Sequence, residues 1–198
     1  MNGKEVCNCQ CVNTTGPVEL IESEQDLSQA VRVIGSEQIV GLDTETRPAF
    51  GKGGYYLPSL IQIAASSAVY LFQLKRMDFS SALREILENP AIIKAGIGVA
   101  DDLLNLNKVF EFSPERILDL SLIAQRNGIK RSGVRNLAGR LLGFRISEGA
   151  STSNWARPEL TQRQTDYAAT DAWVCRELFL QFQEIGFLDS KGQQDQST

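Results

Sequence analysis

The chain has 198 residues, 42% of them hydrophobic and 22% charged, enough to bury one sizeable core, which predicts a single globular domain. It carries a formal net charge of −4 and no histidine. A histidine triad, a histidine general base and a histidine zinc site are therefore excluded, and no side chain titrates between pH 5 and 8 at its unperturbed value. Hydrolysis at neutral pH would need another source of hydroxide. No apolar run approaches the roughly 20 residues of a membrane helix, and residues 1–16 are polar without a hydrophobic secretory segment. The expectation is a soluble intracellular protein, cytoplasmic if bacterial, with the nucleus open if eukaryotic. Cys7, Cys9 and Cys11 lack the Cys-x-x-Cys spacing of common zinc sites and Cys175 lies far away, so a disulfide framework is not expected. Soft-metal binding or redox sensing by the three clustered cysteines stands against an inert tail.

In chain order, residues 18–21 read as a short strand, and Ser23 with Asp26 opens an amphipathic helix carrying Leu27, Ala30, Val31 and Ile34 at helical spacing. Strands are predicted at 38–43, 59–64 and 68–72, with a loop at 51–56 between the first two. Three strands in succession predict an antiparallel meander. A helix follows at 79–87, a strand at 92–99, a helix from Asp101, a strand at 116–120, and helices at 122–126 and 134–142. Thr161 and Gln164 form a capping box that starts the last helix, whose pattern runs through Tyr167, Ala168, Asp171, Val174, Leu178 and Phe182. The order of elements predicts an α/β layer architecture with a mixed central sheet flanked by helices. The domain is expected over residues 17–188, between flexible tails at 1–16 and 189–198. No internal repeat is present.

Charge is unevenly spread. From Arg126 to Arg163 there are eight basic residues against Glu148 and Glu159, so this segment is +6 and the remainder −10. A solvated helical surface is the ordinary reading of any one of these residues. Together they predict contact with phosphates.

Asp43 and Glu45 stand two apart on an apolar strand, so strand alternation puts both carboxylates on one face. Tyr167 and Asp171, four apart on a helix, stack about one turn from each other. Asp101 and Asp102 follow an apolar run, at a strand end and helix start, where ligands collect in such sheets. Each pair has a plain alternative: a solvated acidic pair, an N-cap, the polar edge of a buried ring. Jointly they fit divalent metal binding, because oxygen-only ligands select hard cations such as Mg²⁺ or Mn²⁺. Two such ions, about 3.5 to 4 Å apart, would supply hydroxide and stabilise the leaving oxygen of a phosphodiester.

D-T-E at 43–45, G-I-G-V-A-D-D-L-L-N-L at 96–106 and Y-A-A-T-D-A at 167–172 resemble the three exonuclease motifs of the DEDD superfamily. The resemblance is to its tyrosine-bearing branch, which includes ribonuclease D and the exonuclease domain of the Werner syndrome protein, and looks strongest toward the latter domain. S-L-I-Q-I at 59–63, I-L-E-N at 86–89 and S-N-W at 153–155 extend it over residues 18–184. The histidine-bearing branch is excluded because Asp166 stands where its histidine would be. The resemblance implies a ribonuclease-H-like fold and two-metal-ion release of nucleoside 5′-monophosphates from the 3′ end of DNA or RNA. It implies that Asp43 bridges both metals, that Glu45 and Asp171 complete one site and Asp102 the other, and that Tyr167 orients or helps deprotonate the attacking water. Asp102 is chosen over Asp101 because the family's aspartate lies four positions before an apolar residue, here Leu106; Asp101 is then an N-cap or a supporting group. Thr44, Leu60 and Gln62 resemble positions around the terminal nucleotide, though Leu60 is equally a core residue. Asn154 and Trp155 are candidates to meet the strand, with a buried tryptophan as the alternative. Arg131, Arg135 and Arg157 are the expected phosphate contacts.

Three other readings compete. D-T-E-T at 43–46 resembles the loop of haloacid-dehalogenase-type phosphatases, but Glu45 replaces the second aspartate and Tyr167 has no place there. A nucleic-acid-binding module without chemistry would not need all five residues. Gly96-Ile97-Gly98 with Asp119 invites a dinucleotide site, but Asp101 occupies the third glycine position.

Overall fold

The computed structural model describes residues 16–48, 55–147 and 149–188. Cys7, Cys9, Cys11, part of the loop expected at 51–56, and nearly all of both expected tails lie outside that set. Six strands, β1 (Val18–Leu20), β2 (Ile39–Thr46), β3 (Pro58–Ala64), β4 (Val69–Gln73), β5 (Ile93–Gly96) and β6 (Ile117–Asp119), form one sheet in the order β1-β4-β3-β2-β5-β6. The expected meander is β2-β3-β4, paired antiparallel throughout. The pairs β1·β4, β2·β5 and β5·β6 are parallel, which makes the sheet mixed.

Helices α1 (Glu24–Gly35), α2 (Ser80–Leu87) and α3 (Val99–Leu106) cover one face, and the long α6 (Gln162–Glu184) covers the other with α4 (Leu120–Arg126) and α5 (Val134–Leu137). Strand alternation divides β3 between two cores. Ile61 and Ile63 join Leu27, Ile34, Leu83 and Phe72 on the first face, while Leu60 and Ala64 join Leu71, Ala168, Ala169 and Ala172 on the second. Both caps read from the sequence are in place: Ser23 Oγ accepts from Asp26 N at 3.1 Å, and Thr161 with Gln164 forms the reciprocal box that starts α6.

Gly41 sets the distance between sheet and helix. A Cβ on this residue would stand 2.0 Å from the Ala172 carbonyl oxygen and 2.8 Å from Arg176 N, so the α6 backbone lies directly on β2. The alanines at 168, 169 and 172 keep that helix face low enough for the approach. Tyr167 and Asp171 are thereby carried over the strand that bears Asp43 and Glu45.

Several boundaries differ from those expected. β2 continues to Thr46, so Asp43 and Glu45 lie within a paired strand, opposite Gln62 and Leu60, with a register shift just after Glu45. The strand expected over 92–99 stops at Gly96, where the chain passes so close to β2 that a Cβ would meet the Leu42 carbonyl oxygen at 2.7 Å. Gly98 completes the turn at φ 69° and α3 starts at Val99. Asp101 is therefore inside the first helical turn and is not an N-cap. Asp119 caps α4, which begins at Leu120 and not 122. The helix expected over 134–142 divides into α5 and a π-helical turn, Ala138–Leu142.

Replacing Gly41 with alanine should push α6 off the strand, since backbone atoms cannot swing aside as a flexible side chain can. The expected outcome is a loss of about 2 kcal/mol or more in urea unfolding, together with loss of hydrolytic activity.

Candidate active site

Asp43 and Glu45 project from β2 toward α6, and Asp171 meets them from the helix. One carboxylate oxygen from each can be chosen such that all three lie within 4.8 Å of one another. Asp102, in the first turn of α3, stands outside this trio, yet its charge acts on both Asp43 and Glu45. Like charges held so close, with water largely excluded, favour the protonated forms. Burial first, then Asp171 and Asp102, pushes Asp43 well above the usual carboxylate range. Burial, followed by the charges of Asp43, Asp171 and Asp102, raises Glu45 to about 10. Asp102 rises to about 6 through burial, with the nearby Thr44 hydroxyl pulling the other way. Asp171 also rises to about 6, its burial opposed by the Tyr167 hydroxyl and the Arg135 guanidinium. Two groups that titrate near neutral pH thus arise in a chain without histidine.

The arrangement is electrically suited to a cation. Asp171 Oδ1 is buried without a hydrogen-bond partner, and the oxygen-only donor set of three converging carboxylates fits a hard divalent ion. Tyr167 lies one turn before Asp171. Burial and the charges of Asp171 and Glu45 raise its hydroxyl further above the usual phenol range, with Arg135 opposing, so it keeps its proton at neutral pH.

The expected substrate residues separate into groups. Arg135 is brought to the site, since its charge reaches both Tyr167 and Asp171. Thr44 is half-buried beside Asp102. Arg131, Arg157 and Asn154 are exposed, and Gln73 Nε2 donates to the Arg157 carbonyl at 2.5 Å, which ties down that loop. Leu60, Gln62 and Trp155 have no exposed surface at all. For Trp155 this selects the buried alternative over the strand contact: it packs against Tyr167, ring centroids 6.1 Å apart, and supports it from within the core. Leu60 and Gln62 are a floor beneath Glu45 and Asp43, which they face across the strands.

The sequence reading missed Gly41, although a glycine inside an apolar strand is a sign of close backbone approach. It also passed over Arg163 as a contact. With Asp166, Tyr167, Thr170 and Ser147, Arg163 lines a cavity of about 220 Å³ beside the tyrosine. Asp119 is accounted for structurally: it accepts from Gly98 N at 3.3 Å and from Ser121 N at 2.9 Å, which leaves no role for it in a dinucleotide site. Cys175 is buried under the carboxylates, and its thiol is raised by that burial and by the charges of Asp43, Asp171 and Asp102.

A mixed sheet with a carboxylate cluster between its central strand and a crossing helix defines an α/β nuclease-type domain. The chain belongs to the 3′-5′ exonuclease family, whose model matches residues 18–186. It is 32% identical over 162 residues to the bifunctional 3′-5′ exonuclease/ATP-dependent helicase WRN of Mus musculus, covering 78% of this chain and 11% of that protein. It is 31% identical over 157 residues to ribonuclease D of Haemophilus influenzae, covering 77% and 38%. The chain therefore spans well under half the length of these curated relatives. Among solved structures, ribonuclease D of Escherichia coli, an exoribonuclease involved in structured RNA processing, superposes with a TM-score of 0.74 at 25% identity, over 86% of this chain and 46% of that one. The fold is ribonuclease-H-like, as the motifs implied. Among the described residues no helix is long and apolar enough to cross a membrane.

Two outcomes follow from the electrostatics. The folded, metal-free protein holds protons on carboxyls that an unfolded chain releases near pH 4, so it binds more protons than the unfolded state as pH rises. Its Tm should fall with rising pH, first through the region of about 6 set by Asp102 and Asp171 and onward toward about 10 for Glu45. Excess Mn²⁺ should restore Tm, more at pH 8 than at pH 5; a flat metal-free Tm between those values would contradict the cluster. Asp102→Asn should abolish hydrolysis, whereas Asp101→Asn at the exposed neighbouring position should keep most of it, and equal loss in both would reverse the assignment.

Proposed function

We propose that this chain is a metal-dependent exonuclease that hydrolyses the 3′-terminal phosphodiester of DNA or RNA and releases nucleoside 5′-monophosphates. The observation that carries the reading is the convergence of Asp43, Glu45 and Asp171 oxygens within 4.8 Å in a family of 3′-5′ exonucleases. Asp43 would be shared between two divalent ions, Mg²⁺ or Mn²⁺, with Glu45 and Asp171 on one and Asp102 on the other. When bound, the ions would supply Lewis-acid activation of water and neutralise charge at the leaving oxygen.

The protein's own groups do the rest. Tyr167 orients the attacking water by hydrogen bonding or helps deprotonate it, with Trp155 fixing the ring from behind. Arg135 meets the charge of the reacting phosphate from the Tyr167 side. Thr44 borders the terminal sugar, while Leu60 and Gln62 shape the floor from below. Arg131, Asn154 and Arg157, exposed around the basic segment, receive the strand. Escherichia coli ribonuclease D acts in structured RNA processing, and WRN joins a 3′-5′ exonuclease to an ATP-dependent helicase, which makes both kinds of nucleic acid reasonable substrates.

Digestion of matched single-stranded DNA, recessed duplex DNA and RNA, each labelled at the 5′ end, tests this. The expected result is a ladder shrinking from the 3′ end, abolished by EDTA and restored by excess Mn²⁺. Binding without shortening would mean a module that has kept the fold alone, and activity confined to small phosphate esters would mean a phosphatase.

A further inference from the structure

A second surface, outside the basic segment of residues 126–163, borders the carboxylates. Tyr55 and Tyr56 precede β3 and remain 59% and 41% exposed. Each ring carries a cation. Lys108 Nζ sits 4.9 Å from the Tyr55 ring centroid, and the Arg47 guanidinium carbon 5.0 Å from that of Tyr56. Tyr55 is also held by its hydroxyl, which donates to Asn105 Oδ1 at 2.5 Å and accepts from Lys108 Nζ at 2.7 Å. A large ring fixed at its far end, yet more than half exposed, is a poor solution for a core residue. It is a good one for a platform.

The position of this platform relates it to the chemistry. Asn105 and Lys108 follow Asp102 at intervals of three, so the Tyr55 anchor begins about one helical turn, roughly 5 Å, from a proposed metal ligand. Arg47 follows Glu45 by two residues, about 7 Å along extended chain. Thr46 pairs with Pro58, which brings the Tyr56 side of the loop back to the same end of β2. A strand whose 3′ end reached the carboxylates from this end of the sheet would run beside the two rings. Bases stack on aromatic faces and on guanidinium planes whatever their sequence, and the ammonium and guanidinium groups meet the accompanying phosphates. In a chain whose charge outside residues 126–163 is −10, two cations gathered on exposed rings beside an acidic cleft are placed where phosphates need them.

We infer that Tyr55 and Tyr56, with Lys108 and Arg47, form a stacking site for unpaired nucleotides 5′ of the scissile bond, which selects single-stranded 3′ ends. The inference rests on the exonuclease reading, but binding alone tests it. Anisotropy of labelled single strands of 3 and 15 nucleotides is measured with Ca²⁺ in place of the catalytic metal, and cleavage is measured separately with Mn²⁺. Wild type should bind the 15-mer more tightly than the 3-mer. Tyr55→Ala with Tyr56→Ala should weaken 15-mer binding about tenfold or more and leave the 3-mer within about twofold. In cleavage the same pair should raise KM on long single strands without lowering kcat on the 3-mer. Tyr55→Phe, which keeps the ring and loses the anchor, should retain most of the affinity. Lys108→Gln and Arg47→Gln should each reduce the slope of log affinity against log salt by about 0.7. Unchanged 15-mer affinity in the double variant, or equal loss on both lengths, overturns the stacking site. Length-dependent binding by a wild type that cuts nothing would retain the site and overturn the exonuclease reading.

Discussion

The site depends on one contact, the α6 backbone lying on Gly41. No side chain fits between them, so helix and strand are held at backbone distance, and four of the five proposed catalytic groups come from these two elements. Tyr167 and Asp171 sit on the helix, Asp43 and Glu45 on the strand, and relative movement of the two would alter every distance between the two pairs. The capping box at Thr161 fixes where the helix begins, and the two alanine-lined turns above the sheet fix its height.

That close packing has an electrostatic cost. Burial that keeps the carboxylates near one another also removes the water that would screen them, so each raises the proton affinity of its neighbours. The apolar floor of Leu60, Ala64 and Leu71 thus supports the chemistry as well as the core. A divalent ion reverses the sign of the interaction, and binding and folding become linked through the same oxygen atoms. Function here is stored as local instability that the core must outweigh.

What the sequence revealed was what is locally encoded. The caps at Ser23 and Thr161 involve side chains three residues from their partners, and the short, mostly apolar run at 59–64 marks a strand, which the fold buries on both faces. The carboxylate pairs were legible for the same reason, since i,i+2 and i,i+4 spacings fix a common face without tertiary information. The start of α3 was not legible, because the apolar run continues through Val99 while the backbone has already turned at Gly98, φ 69°, to open the helix. The end of β2 was obscured by its polar sequence T-E-T, which pairs with Ile61, Leu60 and Pro58 despite its composition. Trp155 could not be placed by pattern, as it lies in a loop whose burial is decided by Tyr167 and the core around it.

The deep seat of Cys175 gives this helix a chemical clock. Its sulfur is enclosed where α6 meets the sheet, and burial and negative charge both keep it protonated. An alkylating reagent reaches it through an opening of the core that α6 shares with α4 and α5, so the rate of its modification counts such openings. Metal binding, by tying the helix carboxylate to the strand carboxylates, would slow that count, and occupancy of the active site becomes readable from the lifetime of a thiol that takes no part in the chemistry.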